Sequence, residues 1–538
     1  MFLKNFLIDS EQITDISLAR RIIESQEAQL NQLEKLEARV LLQAEQIVQL
    51  KEEILRLKGE KGRPDIKPST LNKSRPDVGS DNQRPRGKPK RKKTSLLKIH
   101  EEKVVEPPHV PVGSRFKGYQ DWVVQELEIN LKNTCYKRAR YLTPDGRLLI
   151  GELPPEVSGS HFGAELRSYI LSQYYQQHVT QNLILRNVRE LGIEISSGEL
   201  NEIITGDKHV FHTEKEEVLK VGLQISSHIN VDDTGARHQG RNGYCTHIGN
   251  EFFTYFSSTE SKSRVNFLKL LRADTAECVL DDVAREYMKR QRMPNEQLKL
   301  FMQDRTFPDD ASWDQYLAEL GLKERCRRIA TEGVLVATLV VHNSMDKLVI
   351  VSDDAGQFNV AGFLNALCWV HAERTINKIN SYADKDHQAV DLVRKQIWEF
   401  YQELKSYKAN PDAMMKDVLV RRFDKIFSQK TCFQTLNLAL QRLYANKEEL
   451  LLVLKRPEIP LHNNLSENDI RDYVKRRKIS STTRSDSGRN ARDTMLSLKK
   501  TCQKLGISFR EYIFDRISMK NLIPPLPTLI MSAATAKL

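Results

Sequence analysis

The 538-residue sequence predicts a mixed α/β protein: a core of sheet and helix, interrupted by helical insertions, behind an N-terminal helix and a basic linker. Three observations carry this reading. Leu348, Val349, Ile350 and Val351 form an apolar, mostly β-branched run that stops at Asp353 and Asp354 before Gly356, the pattern of a buried strand ending in a turn. A similar strand pattern ends at Asp232 and Asp233 and is followed at once by two more strand-like stretches, which makes an antiparallel meander. From Cys368 to about Leu454, by contrast, helix formers continue with almost no strand signal.

Composition narrows the setting. A net charge of +12 points to a polyanionic partner, and the clustering of the cations points to nucleic acid. No apolar run approaches the roughly 20 residues of a membrane span, and MFLKNFLIDSEQ turns acidic too soon for a signal peptide. The seven cysteines (135, 245, 278, 326, 368, 432, 502) lie far apart with no CxxC, which argues against a disulfide framework or a cysteine-rich zinc module. A reducing cytoplasm, in association with the nucleoid, is the expected location.

Residues 1–58 are the expected dimerisation helix, of which 11–58 are charged, helix-favouring and free of Gly and Pro. With Leu33 at position a, the a series runs Leu33, Val40, Ile47, Ile54 and the d series Leu36, Gln43, Leu50, Leu57. β-Branched residues at a with Leu at d predict a parallel two-stranded coiled coil, hence a homodimer. The same spacing also fits a helix packed on its own domain. Residues 59–104 read as a disordered basic linker; RPRGKPKRKK at 84–93 holds seven cations, Arg91, Lys92 and Lys93 among them. It suits either a basic arm along DNA phosphates or a solvated tether. Residues 105–158 predict a small β module from DWVVQELEIN, TCYKRARYL and RLLIGELPP, the last after the turn Pro144-Asp145-Gly146. Residues 159–215 predict short helices, the second stopped by Gly192 and the third opened by Ser197, equally readable as a DNA-binding helix-turn-helix or a plain hairpin.

Residues 216–495 form the expected core, with helical insertions at about 275–330 and 370–455. LQISSHINVDDTGAR, GYCTHIGN and EFFTYFSST are the meander strands, and Ser263 to Leu271 starts a helix. In HNNLSENDIRDYVKRRKISSTTRSDSGRNARDT, Asn464 or Ser466 is placed to cap a helix that carries Glu467 in its first turn and Arg471 four residues on, on the same face. Lys475, Arg476, Arg477, Lys478 and Arg484 continue the basic character and suit DNA-backbone contact, although a solvated helix end would look alike. Residues 496–538 predict an amphipathic helix and a loosely ordered tail.

Three acids stand apart: one ending the first core strand, one ending a later strand, one on a helix. Carboxylates at strand ends are costly unless solvated, paired or bound to cations, and two-metal phosphoryl transfer requires such oxygen ligands for Mg²⁺ or Mn²⁺. The β-β-β-α-β order with acids at these places resembles the RNase H-like core of DDE transposases. DDTGAR, SDDAGQF, CWVHAER and NNLSEN, followed by RKIS and SDSGRNARDT, resemble the transposases of the IS66 insertion-sequence family over roughly 221–515.

The resemblance implies a catalytic and metal-binding triad of Asp232, Asp353 and Glu467, with two Mg²⁺ or Mn²⁺ ions. Motif matching prefers Asp232 to Asp233 and Asp353 to Asp354, leaving Asp233 and Asp354 as possible support. Cys368 and His371 share the C-x2-H spacing found after the second acid in several DDE transposases, where it buttresses the site. The resemblance further implies binding of the element's terminal inverted repeats, hydrolysis that frees a 3′ hydroxyl, strand transfer into target DNA, and accessory proteins from the same element as possible partners. Two departures stand out. Residues 105–155 offer only Cys135 where the family carries a zinc module, so zinc is not expected, and Asn468 follows Glu467 where Arg is common. The alternative function is a DNA-binding protein that has lost catalysis or been repurposed; a structure-specific nuclease without a joining step is a third.

Overall fold

The computed structural model describes residues 97–154, 160–343, 348–381 and 383–537, with short stretches between residues 32 and 50. The chain divides into two units, Lys58–Cys135 and Met1–Leu57 with Tyr136–Leu538. In the first unit the described residues 97–135 form no helix or strand, and Trp122, Val124 and Leu127 are exposed. The strand expected in DWVVQELEIN is therefore absent: an alternating apolar face forms a stable strand only where a partner strand and a covering layer exist. In the second unit β1 (Arg140–Leu142) and β2 (Leu148–Ile150) pair antiparallel about Gly146, with every strand residue exposed. The expected β module is reduced to this hairpin.

Of the expected coiled-coil seam, Leu36, Val40, Gln43, Ile47 and Leu50 are described and helical, and the four apolar ones are more than half exposed. Leu33, Ile54 and Leu57 lie outside the described residues, as do Arg91, Lys92 and Lys93.

Helices α1 (Ala164–Leu171), α2 (Gln181–Glu190), α3 (Ser197–Thr205) and α4 (His209–Ile225) follow. Gly192 ends α2 at positive φ, as expected, because the left-handed turn there suits a residue without Cβ. Ser196, not Ser197, opens α3, in a reciprocal capping box with Glu199. α4 continues past residue 215 and packs on the main sheet.

In that sheet β3 (His228–Gly235), β4 (Tyr244–Gly249) and β5 (Thr254–Thr259) are the expected antiparallel meander. Two strands of the first insertion, β6 (Cys278–Leu280) and β7 (Arg305–Phe307), pair with each other and stay outside it. β8 (Val349–Ser352) lies parallel to β3, and β9 (Leu364–Leu367) lies parallel to β8, so the sheet order is β5-β4-β3-β8-β9. Ile229, Val231 and Ile350 are fully buried on one face, in a core shared with α4 and with α5 (Arg264–Leu271), which Ser263 caps. β9 carries no signal in the sequence because its four residues form a partly exposed edge strand with no apolar run.

The first insertion builds its own core. Beside the β6–β7 pair, α6 (Asp282–Arg290), α7 (Asp310–Glu319) and α8 (Glu324–Asn343) bury Met288, Trp313, Leu317 and Val334 among them. The strand pair was not expected, since three residues carry no readable period. The second insertion is helical throughout, as expected: α9 (Trp369–Asn377), α10 (Asp384–Ala409), α11 (Ala413–Phe427) and α12 (Gln434–Ala445) close over Trp369, Phe400 and Phe423. The Glu45 carboxylate accepts the backbone N–H of Thr435 at 3.0 Å in the first turn of α12, where the helix dipole favours an anion.

The chain ends in α13 (Asn464–Ser480), α14 (Asp486–Lys504), α15 (Phe509–Ile517) and α16 (Leu526–Lys537). The expected loose tail is instead α16, with Leu526 and Ile530 fully buried and Glu214 accepting the Leu526 N–H at 2.8 Å. Its proline cluster, Pro524, Pro525 and Pro527, starts the helix rather than preventing one, because first-turn N–H groups have no intrahelical partner to lose.

Candidate active site

The pleat of β3 sorts its acids onto opposite faces. Asn230, Asp232 and Thr234 point toward α13: Asn230 bonds Asn463, and Thr234 accepts from Arg477. Asp233 points the other way, where Thr246 Oγ1 donates to it at 2.6 Å and Gln357 Nε2 at 2.8 Å. One residue of register thus decides which carboxylate shares a face with Glu467.

β3 and β8 pair Asn230 with Val351, so the same register carried two residues further brings Asp353 alongside Asp232 at the carboxyl ends of neighbouring parallel strands. In open α/β sheets this end is the usual place for a site. Glu467 sits in the first turn of α13.

Asn463 holds these pieces in place. It is fully buried; its amide donates to the Val231 carbonyl at 2.8 Å, its side-chain oxygen accepts from Asn230 at 2.9 Å, and its backbone N–H meets Cys368 Sγ at 3.2 Å. One residue therefore joins the strand before Asp232, the start of α9 and the start of α13. This revises the expected cap. Asn463 precedes the helix and directs its side chain to the sheet, while Asn464 and Ser466 lie within α13. Ser466 bonds His247 Nδ1 at 2.8 Å, and His247 Nε2 meets Asp469 at 3.1 Å, a second link from sheet to helix. The doubled asparagine, Asn463-Asn464, is visible in the sequence, but the partner of Asn463 lies 232 residues away and is not.

The Asp232 carboxyl lies within the electrostatic reach of the other two acids. Burial, and then the nearby Asp353, push the Asp232 carboxyl up to about 7; the Asp233 N–H, donated to Asp232 Oδ1 at 2.7 Å, opposes this, and Asp233 and Glu467 add to it. Glu467 Oε1 is buried with no hydrogen-bond partner, while His371 Nε2 stands at 3.6 Å and Arg374 Nη2 at 3.7 Å from it. Arg471 Nη2 lies 3.6 Å from Glu467 Oε2, the expected pair one helical turn on. Arg374 donates to His371 Nε2 at 3.0 Å; burial, reinforced by the Arg374 charge, lowers the His371 pKa.

Among the described residues no group of three or more His, Cys, Asp or Glu side chains is gathered closely enough to hold a metal ion. Asp232, Asp353 and Glu467 interact through space without meeting at ligand distance. Their chemistry nevertheless fits a hard divalent cation: oxygen donors only, crowded anions, and a buried carboxylate oxygen that no hydrogen bond satisfies.

The remaining expected residues divide. Asp354 is drawn away to Arg442. Cys368 supports Asn463. Lys475, Lys478, Arg471 and Arg484 are exposed. Arg477 donates to Thr234 at the end of β3. Arg476 leaves the DNA-contacting set: it is 1% exposed, its guanidinium lies 3.6 Å over the Tyr174 ring, and it donates to the carbonyls of Tyr174 and Val179. Helical periodicity turns it inward while Lys475 faces solvent. Arg374, Lys378 and Arg442 were missed as a group; with Asp353 and His371 they line a cleft of about 230 Å³.

Residues 338–491 match the family model described as Transposase IS66 family. The chain belongs to the IS66 transposase family. A 323-residue stretch, 59% of this IS66 chain, is 43% identical to the whole of an uncharacterized protein, y4jO, of Sinorhizobium fredii (strain NBRC 101917 / NGR234). The family segment takes in Asp353 and Glu467 and begins after Asp232. Membership implies DNA as partner, DNA cleavage as the general activity and a divalent metal as the general cofactor. Among the described residues no helix is long and apolar enough to cross a membrane.

Proposed function

We propose that this IS66 chain is a DDE transposase with an RNase H-like core. It binds the terminal inverted repeats of its element, hydrolyses the phosphodiester there and joins the freed 3′ hydroxyl to target DNA. The observation that carries the proposal is the parallel register of β3 and β8, which sets Asp353 beside Asp232, with Asn463 bonding the start of the helix that bears Glu467 to the strand residue before Asp232. The strand order, with an antiparallel meander on one side of β3 and parallel strands on the other, supports the core assignment.

Asp232, Asp353 and Glu467 are the residues that would hold Mg²⁺ or Mn²⁺. When bound, a pair of such ions activates the attacking hydroxyl and offsets charge on the leaving 3′ oxygen. The chain's own residues supply the rest. The Asp233 N–H fixes one oxygen of Asp232. Thr246 and Gln357 keep Asp233 on the far face. Arg374 stands 3.7 Å from Glu467 and offsets its charge, and His371 accepts from Arg374 and orients it. Exposed Arg471, Lys475, Lys478 and Arg484 supply phosphate contacts. A covalent protein–DNA intermediate is not needed, because water and then the 3′ hydroxyl are the nucleophiles. The exposed Leu36, Val40, Ile47 and Leu50 support pairing of two chains through the N-terminal helix.

The test is metal-dependent cleavage and joining of end-sequence DNA. Wild type is expected to do both with Mg²⁺ or Mn²⁺, and Asp353→Asn neither. Full activity of Asp353→Asn would falsify the assignment of the site. Tight DNA binding by wild type with no cleavage in either metal would establish the non-catalytic alternative instead.

A further inference from the structure

A second cleft, of about 430 Å³, opens where the first insertion meets the core. Lys262 and Arg264 line it from the start of α5, and Arg325 and Arg328 from the first turns of α8. Its one lining carboxylate, Glu332, is buried and already engaged: it accepts from Tyr287 Oη at 2.7 Å and from Arg264 Nη1 at 3.1 Å. Arg264 is fixed further by donation to the Gly356 carbonyl at 2.7 Å. Arg328 also stands 3.9 Å from Glu332, one helical turn on, yet remains exposed, so Lys262, Arg325 and Arg328 together face a cleft whose single carboxylate is shared among Tyr287, Arg264 and Arg328. Ile329 is the lone large aliphatic in that lining, so an apolar ligand gains little there.

The cleft also touches the candidate site. Gln357 lines it and donates to Asp233, the neighbour of Asp232 in the chain. Gln357 lies on the face of β3 opposite Glu467, so a polyanionic strand that set one phosphate at the acids would round the carboxyl end of β3 to bring its neighbouring phosphates toward these cations. The geometry points to a second DNA contact: the cleft between the first insertion and the core binds the phosphodiester backbone flanking the reacting phosphate, through Lys262, Arg325 and Arg328. This rests on the DNA-processing function proposed above and adds a surface that the triad does not require. Backbone contact of this kind is independent of base sequence and is read by its salt dependence.

The experiment uses the full chain and a labelled DNA duplex of arbitrary sequence, titrated across a series of salt concentrations. Arg325→Ala/Arg328→Ala is expected to bind more weakly, with the slope of log K against log salt shallower by roughly 2, about one unit for each phosphate no longer neutralised. Arg325→Lys/Arg328→Lys is expected to restore the slope, since the charge returns without the fork. Lys323→Ala/Arg327→Ala removes two exposed charges beside the cleft but outside its lining, and is expected to keep the wild-type slope. A wild-type slope in the Arg325/Arg328 double variant overturns the inference, as does an equal loss in both alanine pairs. Cleavage by wild type is scored separately, so an inactive triad and an idle cleft give different results.

Discussion

Asn463 Nδ2 donates to the carbonyl of Val231 at 2.8 Å, so the helix bearing Glu467 is bonded to the strand residue immediately before Asp232. Asn463→Ala is expected to leave the Asn230 amide and the Val231 carbonyl buried without partners, at a cost of about 1–3 kcal/mol. Its effect on cleavage should exceed its effect on stability, because the tether between Asp232 and Glu467 is lost. Thermal unfolding and the cleavage rate, measured on one preparation, separate the two. Equal cleavage by variant and wild type would show that the tether does not position the acids.

Divalent ions should stabilise the fold only where the carboxylates are intact. A ligand that binds the native state alone adds about 2.7 kcal/mol at a hundred times its Kd. Mg²⁺ or Mn²⁺ is therefore expected to raise Tm in wild type and to raise it much less in Asp353→Asn. The measurement is a thermal shift across a metal titration, and a shift of the same size in both proteins would place the ion elsewhere.

Arg476 and Lys475 are neighbours in sequence with opposite expected phenotypes. Arg476→Ala should destabilise the protein, because the Tyr174 and Val179 carbonyls lose their donor and a large buried side chain is deleted. Lys475→Ala should leave Tm nearly unchanged and weaken DNA binding, with a salt slope shallower by about one. Denaturant unfolding and binding titrations check the pair.

Asp310 ties the first insertion to α5. Arg272 grips it with two nitrogens, at 2.9 and 3.0 Å, and Lys269 stands at 2.9 Å. Burial alone would raise its pKa, but the hydrogen bonds from Arg272 and Lys269 prevail and hold it at about 2. The folded pKa is below the unfolded one, so this contribution to stability is complete above the unfolded value near 4. It disappears as pH falls toward 2. Asp310→Asn should therefore be less stable than wild type at pH 7, with the gap closing in acid. Urea unfolding at several pH values reads it, and a gap that widens in acid would contradict the pairing.

Gly333 on α8 faces the Ala284 carbonyl on α6 so closely that a Cβ there would lie 2.8 Å from the oxygen. Backbone cannot swing aside as a flexible side chain would. Gly333→Ala should cost about 1–3 kcal/mol by overpacking, despite the better helix propensity of Ala. A neutral or stabilising result in thermal unfolding would mean that α6 and α8 separate freely.

The meander, the buried strand at Val349–Ser352 and the helical second insertion were legible because each is local: period, run length and turn residues lie within a dozen positions. Asp232, Asp353 and Glu467 were legible as candidates because the stretches that carry them, DDTGAR, SDDAGQF and NNLSEN, occur together in the order a known family has; an acid at a strand end or helix start is common by itself. Tertiary structure decided what depends on partners. It turned Asp232 and not Asp233 toward α13, bound Asn463 across to Val231, buried Arg476 beside an exposed Lys475, and made a helix of the proline-rich tail. It also withheld a strand from DWVVQELEIN, whose alternation found no face to cover. The physical reason is common to all of these: a side chain's neighbours in the chain set its local conformation, but its burial and pairing are set by residues hundreds of positions away.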